Sequence, residues 1–296
     1  MKTLKFLLTI IFFAGIIMNN INCSKDTEIT ELYQANSPLV TFRIELKAGS
    51  INDPAGKEGL NALTALTIGQ GGTKELTYQQ VLDKLYPWAA GINPQVDKEV
   101  TVFIGEIHKD NLDAFYKIFT DLLLNPRFDE TDFTRNKDLI ISHLENNLRG
   151  TDDENLGKQG LNEFIYNNHP YRTTEVGTVQ GLRSITLDDV KNYYKRVYTK
   201  DNFKVGIAGG YPKSLIDKIK EDIAKLPSGK LDEVKLPEPE KIQNMEVMFI
   251  EKPARGTAIS FGFPIPLTRK DRDYYALMLG NSYVCEHRTF NGGLMN

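Results

Sequence analysis

Between Leu39 and Lys47 apolar and polar residues alternate one for one, which predicts a strand with one buried face. Asn52-Asp53-Pro54-Ala55-Gly56 is turn chemistry, and it ends that run. The period then changes. From Lys57 to Ile68 the residues Leu60, Leu63, Ala65, Leu66 and Ile68 crowd nearly all round a helix, so this helix is expected to be buried. Thr77 to Tyr86 reads as a second helix. Ile92 to Ile107 reads as two strands separated by Val96-Asp97-Lys98-Glu99, with Val100, Val102 and Ile104 on one face and Thr101, Phe103 and Gly105 on the other.

Three helices are expected next. They run from Leu112 to Leu124, stopped by Asn125-Pro126, from Thr131 to Leu148, stopped by Arg149-Gly150, and from Asp153 to Tyr166. Thr186-Leu187-Asp188-Asp189 resembles a capping box opening a helix to Tyr198, Phe203 to Ala208 reads as a buried strand, and Pro212 to Leu226 as a further helix. A charged, Pro-containing stretch over 228–242 has the composition of an interdomain linker. Beyond it Glu246–Glu251 and Thr257–Phe263 alternate as strands, and Asp273–Val284 is helical. So few elements bury little core, so residues 243–296 are expected to be the start of a truncated second domain.

Composition narrows the partners. The chain has 296 residues, 41% hydrophobic, with 36 basic against 39 acidic side chains, and no basic block or aromatic-interleaved basic stripe. Nucleic acid is therefore not expected as a partner. Lys2 and Lys5 precede an apolar run from Phe6 to Met18, too short to span a bilayer comfortably, which predicts an export signal over 1–23 in preference to an N-terminal anchor or buried helix. Cys23 follows at the distance where bacterial lipoproteins carry their acylated cysteine, with Asn20 and Asn22 where a lipobox has Leu and a small residue. Lipidation of Cys23, a polar tether over 24–36 and a bacterial cell-envelope location are expected, with plain secretion as the alternative. Cys285 is the one other cysteine, so an acylated Cys23 leaves no disulfide and no cysteine metal cluster.

Several local runs, in their order, resemble one half of an insulinase/pitrilysin-type zinc metallopeptidase, the superfamily that includes the mitochondrial processing peptidase. Gly49-Ser50 to Gly59-Leu60 is similar to the strand and turn leading into the family's metal helix. Ala89-Ala90-Gly91-Ile92-Asn93 with Glu99-Val100-Thr101-Val102-Phe103 is similar to its G-G-x-x-N-A strand pair. His169-Pro170-Tyr171, Gly177, Leu182, Ile185-Thr186, Asp189-Val190 and Tyr193-Tyr194 resemble its late helical region. Phe249 to Pro253 and Thr257 to Gly262 resemble the opening of its second domain, and Arg288 with Leu294-Met295-Asn296 a helix further in. The resemblance implies an α+β fold: an antiparallel sheet packed on helices over 37–227, followed by the beginning of a second, similar domain.

Family chemistry rests on H-x-x-E-H, in which two His at i and i+4 bind zinc and the Glu activates water. Here the matching positions are Ala62, Ala65 and Leu66, none of which ligates a metal or moves a proton. The family's third ligand, a Glu, falls on His143, and one neutral ligand does not hold zinc; an ordinary helix residue is the plainer reading of it. The resemblance implies substrate-binding roles for Ala90, Asn93 and Glu99, where a peptide adds as a strand, yet Pro94 removes a donor from that edge. The expected protein is thus a non-catalytic subunit that binds no cofactor itself. Its partner would be a catalytic insulinase-like chain holding zinc, and the substrate a peptide or unfolded polypeptide. The alternative is an envelope scaffold or binding lipoprotein that kept the fold; an autonomous enzyme with relocated ligands ranks last.

Other candidate chemistry reads as structural. Glu106-Ile107-His108 and His143-Leu144-Glu145 are expected to be surface pairs. Gly69-Gln70-Gly71-Gly72-Thr73 lacks the Gly-Lys-Ser/Thr ending of a phosphate loop and reads as a helix stop. Tyr86 and Trp88 flank Pro87 as a pocket lining would, but aromatic residues beside a strand are more often core, so they are expected in the core.

Overall fold

The computed structural model describes residues 28–254 and 256–285. The expected signal, Cys23, Arg288 and Leu294-Met295-Asn296 lie outside the described residues. These divide into two compact units, one formed by 28–141 with 175–233, the other by 142–174 with 234–285. The expected division fell at a linker over 228–242. Residues 142–174 instead leave the first unit and group with the segment after 233.

The first unit is built on a five-stranded sheet of β1 (Glu28–Tyr33), β2 (Leu39–Leu46), β3 (Gly91–Val96), β4 (Thr101–His108) and β5 (Phe203–Gly209). Their order across the sheet is β1-β5-β2-β4-β3, antiparallel except where β1 runs parallel to β5. The helices are α1 (Leu60–Gly69), α2 (Tyr78–Leu85), α3 (Leu112–Leu124), α4 (Glu130–Ser142), α5 (Asp153–Ile165), α6 (Val179–Ser184), α7 (Leu187–Val197), α8 (Ser214–Ala224) and α9 (Asp273–Cys285). Alternation does what it predicts: Val40, Phe42, Ile44 and Leu46 of β2 are buried, while Arg43 between them is exposed.

Aromatic rings fill the space between sheet and α3. Phe42 stacks with Phe115 at 6.1 Å between ring centroids and packs on Phe119 at 5.6 Å. Gly105 of β4 makes this possible, because a Cβ there would lie 2.7 Å from Cζ of Phe115. The capping box read from the sequence forms, with Thr186 accepting from Asp189 N at the head of α7, and a second one, not anticipated, has Thr77 accepting from Gln80 N at the head of α2.

Three expectations are corrected. The supposed tether holds β1, which finds its partner in the distant β5; its residues are mostly exposed, so no apolar alternation announces it. The helix expected to reach Leu148 keeps α-helical bonding to Ser142, then continues as a π-helical stretch, His143–Thr151. Asn146, Asn147 and Gly150 there are weak α-helix formers. Glu246–Glu251 and Thr257–Phe263 join no ladder among the described residues. Alternation selects a backbone shape, whereas a strand also needs a neighbour for its hydrogen bonds.

Within the second unit the first of these runs packs on α5. A Cβ on Gly160 would meet Ile250 Cδ1 at 2.8 Å and Met248 Cε at 3.0 Å. Lys252 pairs with Asp153 at 2.6 Å and donates to the carbonyl of Gly150 at 3.0 Å.

The ring contact at Gly105 generates a prediction. Gly105→Ala forces Phe115 and Phe119 from their seats and lowers unfolding free energy by about 1–3 kcal/mol, with an unchanged slope in a urea titration.

Candidate functional site

Helix α1 carries the positions where metal chemistry was sought. Its first turn starts at Gly59, which takes the left-handed φ of 108°. A Cβ at Gly59 would sit 2.7 Å from the carbonyl oxygen of Val176, so glycine is required twice over. Two amides of that turn are met by one side chain, and Leu60 N donates to Lys57 O at 3.1 Å. Asp53 Oδ2 accepts from Gly59 N and Oδ1 from Asn61 N, both at 2.7 Å. Burial pushes this carboxyl up to about 7, with the charge of Glu58 adding to the shift, while the two backbone bonds and Arg196 oppose it.

Asn61 is 1% exposed, and both its amide nitrogen and its amide oxygen are hydrogen-bonded. Nδ2 donates to Thr101 Oγ1 at 2.9 Å, Thr101 Oγ1 donates on to Ala48 O at 2.8 Å, and Tyr193 OH donates to Asn61 Oδ1 at 3.1 Å. One chain of hydrogen bonds therefore ties α1 to β4, to the end of β2 and to α7. At the other end of α1, Leu66 O accepts from the buried Asn136 Nδ2 of α4 at 3.3 Å, and Gln70 O from Arg135 Nη2 at 2.6 Å. Burial raises the Tyr193 hydroxyl above its ordinary range, so it stays a donor.

These ties fix the face that α1 turns toward the sheet edge. Ala62, Ala65, Leu66 and Gly69 stand at i, i+3, i+4 and i+7, one stripe of the helix. A Cβ at Gly69 would lie 3.0 Å from Pro94 Cδ, which places the end of that stripe against β3. Ala62 and Ala65 are buried and Leu66 half-buried. The stripe offers no nitrogen, oxygen or sulfur side chain, so it does not fit zinc. His143, where the resemblance puts the family's third ligand, is exposed at the head of the π-helical stretch. Among the described residues no group of three or more His, Cys, Asp or Glu side chains is placed to hold a metal ion.

The expected substrate residues are spread along β3 and its hairpin turn. Ala90 precedes β3, Asn93 stands exposed at its middle, and Glu99 lies in the hairpin turn after it. With about 3.3 Å per residue, the six residues of β3 hold Ala90 and Glu99 about 20 Å apart. The backbone of β3 is informative. Asp97 N donates to Val100 O at 2.9 Å, and Pro94 pairs with Phe103. Alternating from there, Gln95, Asn93 and Gly91 exchange bonds with β4, while Ile92, Pro94 and Val96 turn their backbone groups to the free edge. The middle donor of that outward row is therefore missing.

The remaining candidates divide. Glu106 is exposed on the outer face of β4, where Thr41 Oγ1 donates to it at 3.1 Å, and His108 Nδ1 accepts from Asp110 N at 3.4 Å. Gly69–Thr73 ends α1, as expected. Tyr86 and Trp88 do not enter the core: Tyr86 is 86% exposed and Trp88 half-buried, because the chain leaves α2 in a tight turn closed by Ala89 at a left-handed φ of 49°. Asp53, Thr101, Asn136 and Tyr193 carry the site without having been singled out. The available signal was Asn61, a lone amide in an otherwise apolar helix.

The first unit is thus an α+β domain in which the stripe of α1 beside β3 carries no metal-ligating side chain. The profile of the insulinase family (peptidase family M16) matches residues 30–177, and that of the M16 inactive domain matches 184–291. The chain belongs to the insulinase family. It is 25% identical over 158 residues to the probable mitochondrial-processing peptidase subunit beta of Arabidopsis thaliana, covering 53% of this chain and 29% of that protein. It is 22% identical over 276 residues to the non-peptidase homolog YmxG of Helicobacter pylori, covering 91% of this chain and 63% of that protein. The crystal structure of a peptidase M16 inactive domain from Pseudomonas fluorescens shares the fold at 20% identity and a TM-score of 0.74, covering 91% of this chain and 64% of that one. The chain spans less than half the length of the mitochondrial relatives it matches.

Two predictions follow from α1 and β3. Asp53→Asn sets an amide N–H against a backbone N–H and lowers stability by about 1–3 kcal/mol in a denaturant titration. Because burial raises the folded-state value from 3.8 to about 7, the carboxyl's contribution is fully present below 3.8 and is lost as pH rises through about 7. The stability difference between native chain and Asp53→Asn is therefore expected to shrink over that window. Pro94→Ala restores the middle donor of the free edge, and an extended apolar peptide gains affinity for the chain, read by fluorescence anisotropy.

Proposed function

We propose that this chain is the non-catalytic subunit of a two-chain zinc metalloendopeptidase that acts on peptides or unfolded polypeptides. It is exported to the cell envelope and held at the membrane through a lipid on Cys23. The observation that carries the reading is the stripe Ala62, Ala65 and Leu66, locked toward β3 by hydrogen bonds at both ends of α1. Zinc and the water-activating carboxylate then belong to the partner, and this chain contributes wall and interface. Support comes from the match to an inactive-domain profile and from relatives whose names call them subunits. The non-peptidase homolog of Helicobacter pylori, alike over 91% of this chain, also suits a second reading, a scaffold that kept the fold without any proteolytic assembly.

Co-purification separates the two. A tagged chain is expected to bring down an insulinase-family protein with intact H-x-x-E-H. The complex is expected to contain zinc and cleave an unstructured peptide until a chelator is added, and the chain alone to do neither. Stoichiometric zinc and chelator-sensitive cleavage by the chain alone would sink the subunit reading, and a zinc-free isolate with no such partner would favour the scaffold.

A further inference from the structure

We infer that the positions to which the resemblance assigns zinc ligands have been absorbed into the core of the first unit, an inference that rests on the subunit reading above. Helix α1 then keeps no cleft for a metal-bound water or a peptide and meets solvent only at Leu66. Nine of its ten residues are buried, Leu66 being the exception. Ala62 is 1% exposed and Ala65 0%. A catalytic zinc site holds one coordination position open for water or substrate, so the helix that carries its ligands turns a face to a solvent-filled cleft. A helix buried at every position but one has no such face.

Two rings close the seam where α1 ends. Pro94 of β3 and Phe103 of β4 are register partners, and such partners put their side chains on one face of the sheet. A Cβ at Gly69 would lie 3.0 Å from Pro94 Cδ, 3.2 Å from Pro94 Cγ and 3.9 Å from Phe103 Cε1, so both rings rest against the last turn of the helix. At the first turn a Cβ at Gly59 would meet Leu182 Cδ2 at 2.8 Å as well as the carbonyl of Val176. Pro94 therefore acts twice. It removes a donor from the strand edge, and its ring covers the end of the stripe.

The depth of the helix is fixed too. Lifting α1 to open a cleft would part Asn61 from Thr101 and Tyr193, and Leu66 O from Asn136, and polar groups left unpaired in an interior are costly. An imidazole at position 62 or a carboxylate at 65 would need room that a buried alanine does not have, and would bury a polar group besides. Leu66, half-buried, is the one position of the three that accepts a different side chain. The loss of the metal site is thus steric as well as chemical, and a polypeptide held in the complex touches α1 through Leu66 alone.

Single cysteines test the seal. Ala62→Cys, Ala65→Cys and Leu66→Cys are made in the full-length chain and treated with N-ethylmaleimide under native conditions, and the peptide carrying each position is quantified by mass spectrometry. Position 66 is expected to react, and positions 62 and 65 at least about a hundredfold more slowly until denaturant levels all three. Labelling at 62 or 65 as fast as at 66, in a chain whose unfolding midpoint is unchanged, overturns the seal. A second reading does not depend on labelling. Ala62→His is expected to lower the thermal midpoint by several degrees, whereas Leu66→His leaves it in place. An unchanged midpoint for Ala62→His, or one raised by added zinc, also overturns the seal. Open positions at 62 and 65 would remove this assignment alone, whereas chelator-sensitive cleavage by the unsubstituted chain without a partner would remove the subunit reading itself.

Discussion

The carboxyl of Asp53 and the amide of Asn61 hold the first turn of α1, and the arrangement of the first unit depends on that hold. A helix apolar nearly all round can be buried in many rotations, since its packing energy varies little with azimuth. Hydrogen bonds vary steeply with azimuth. Two backbone amides on Asp53, and an Asn61 side chain satisfied by β4 and α7 together, leave α1 one seat. Its rotation decides which residues look toward β3, and its depth decides that Gly69 meets Pro94.

A helix that carries metal ligands is tied to its neighbours by metal bonds. Here the tie is made by Asn61, Thr101 and Tyr193 on one side of α1 and by Asn136 and Arg135 at its end, all within the protein's own hydrogen-bond inventory. A polar group left unpaired in that interior would be destabilising, so each link constrains the next. The helix is thus structurally committed without a metal. Membership of the family and loss of its site are compatible because fold and chemistry rest on different residues of one helix.

Much of the fold was legible. The hairpin of β3 and β4, the boundaries of α3 and the cap of α7 follow from period, an Asn-Pro stop and Thr at the right spacing. What escaped depends on partners far away in sequence. β1 is a strand because β5 lies beside it, and its own residues do not say so. Residues 246–251 and 257–263 alternate as a strand should and still form none, since alternation is silent about a neighbour. Tyr86 was expected inside because it is large and apolar; the left-handed Ala89 that turns it outward cannot be read from an alanine. The vacant ligand positions were legible as residue types, whereas the hydrogen bonds that orient them required the third dimension.

The position of β5 has a kinetic consequence. It lies between β1 and β2, which precede it by most of the length of the first unit, so the sheet is completed by inserting its penultimate strand last in chain order. During synthesis β2, β3 and β4 can pair early, but β2 keeps one long edge unpaired and β1 has nothing to join until Phe203–Gly209 has been made. Closing such a distant contact is slow compared with forming local helices. Until β5 joins, the folding chain therefore carries an unpaired edge of β2 that other chains can join.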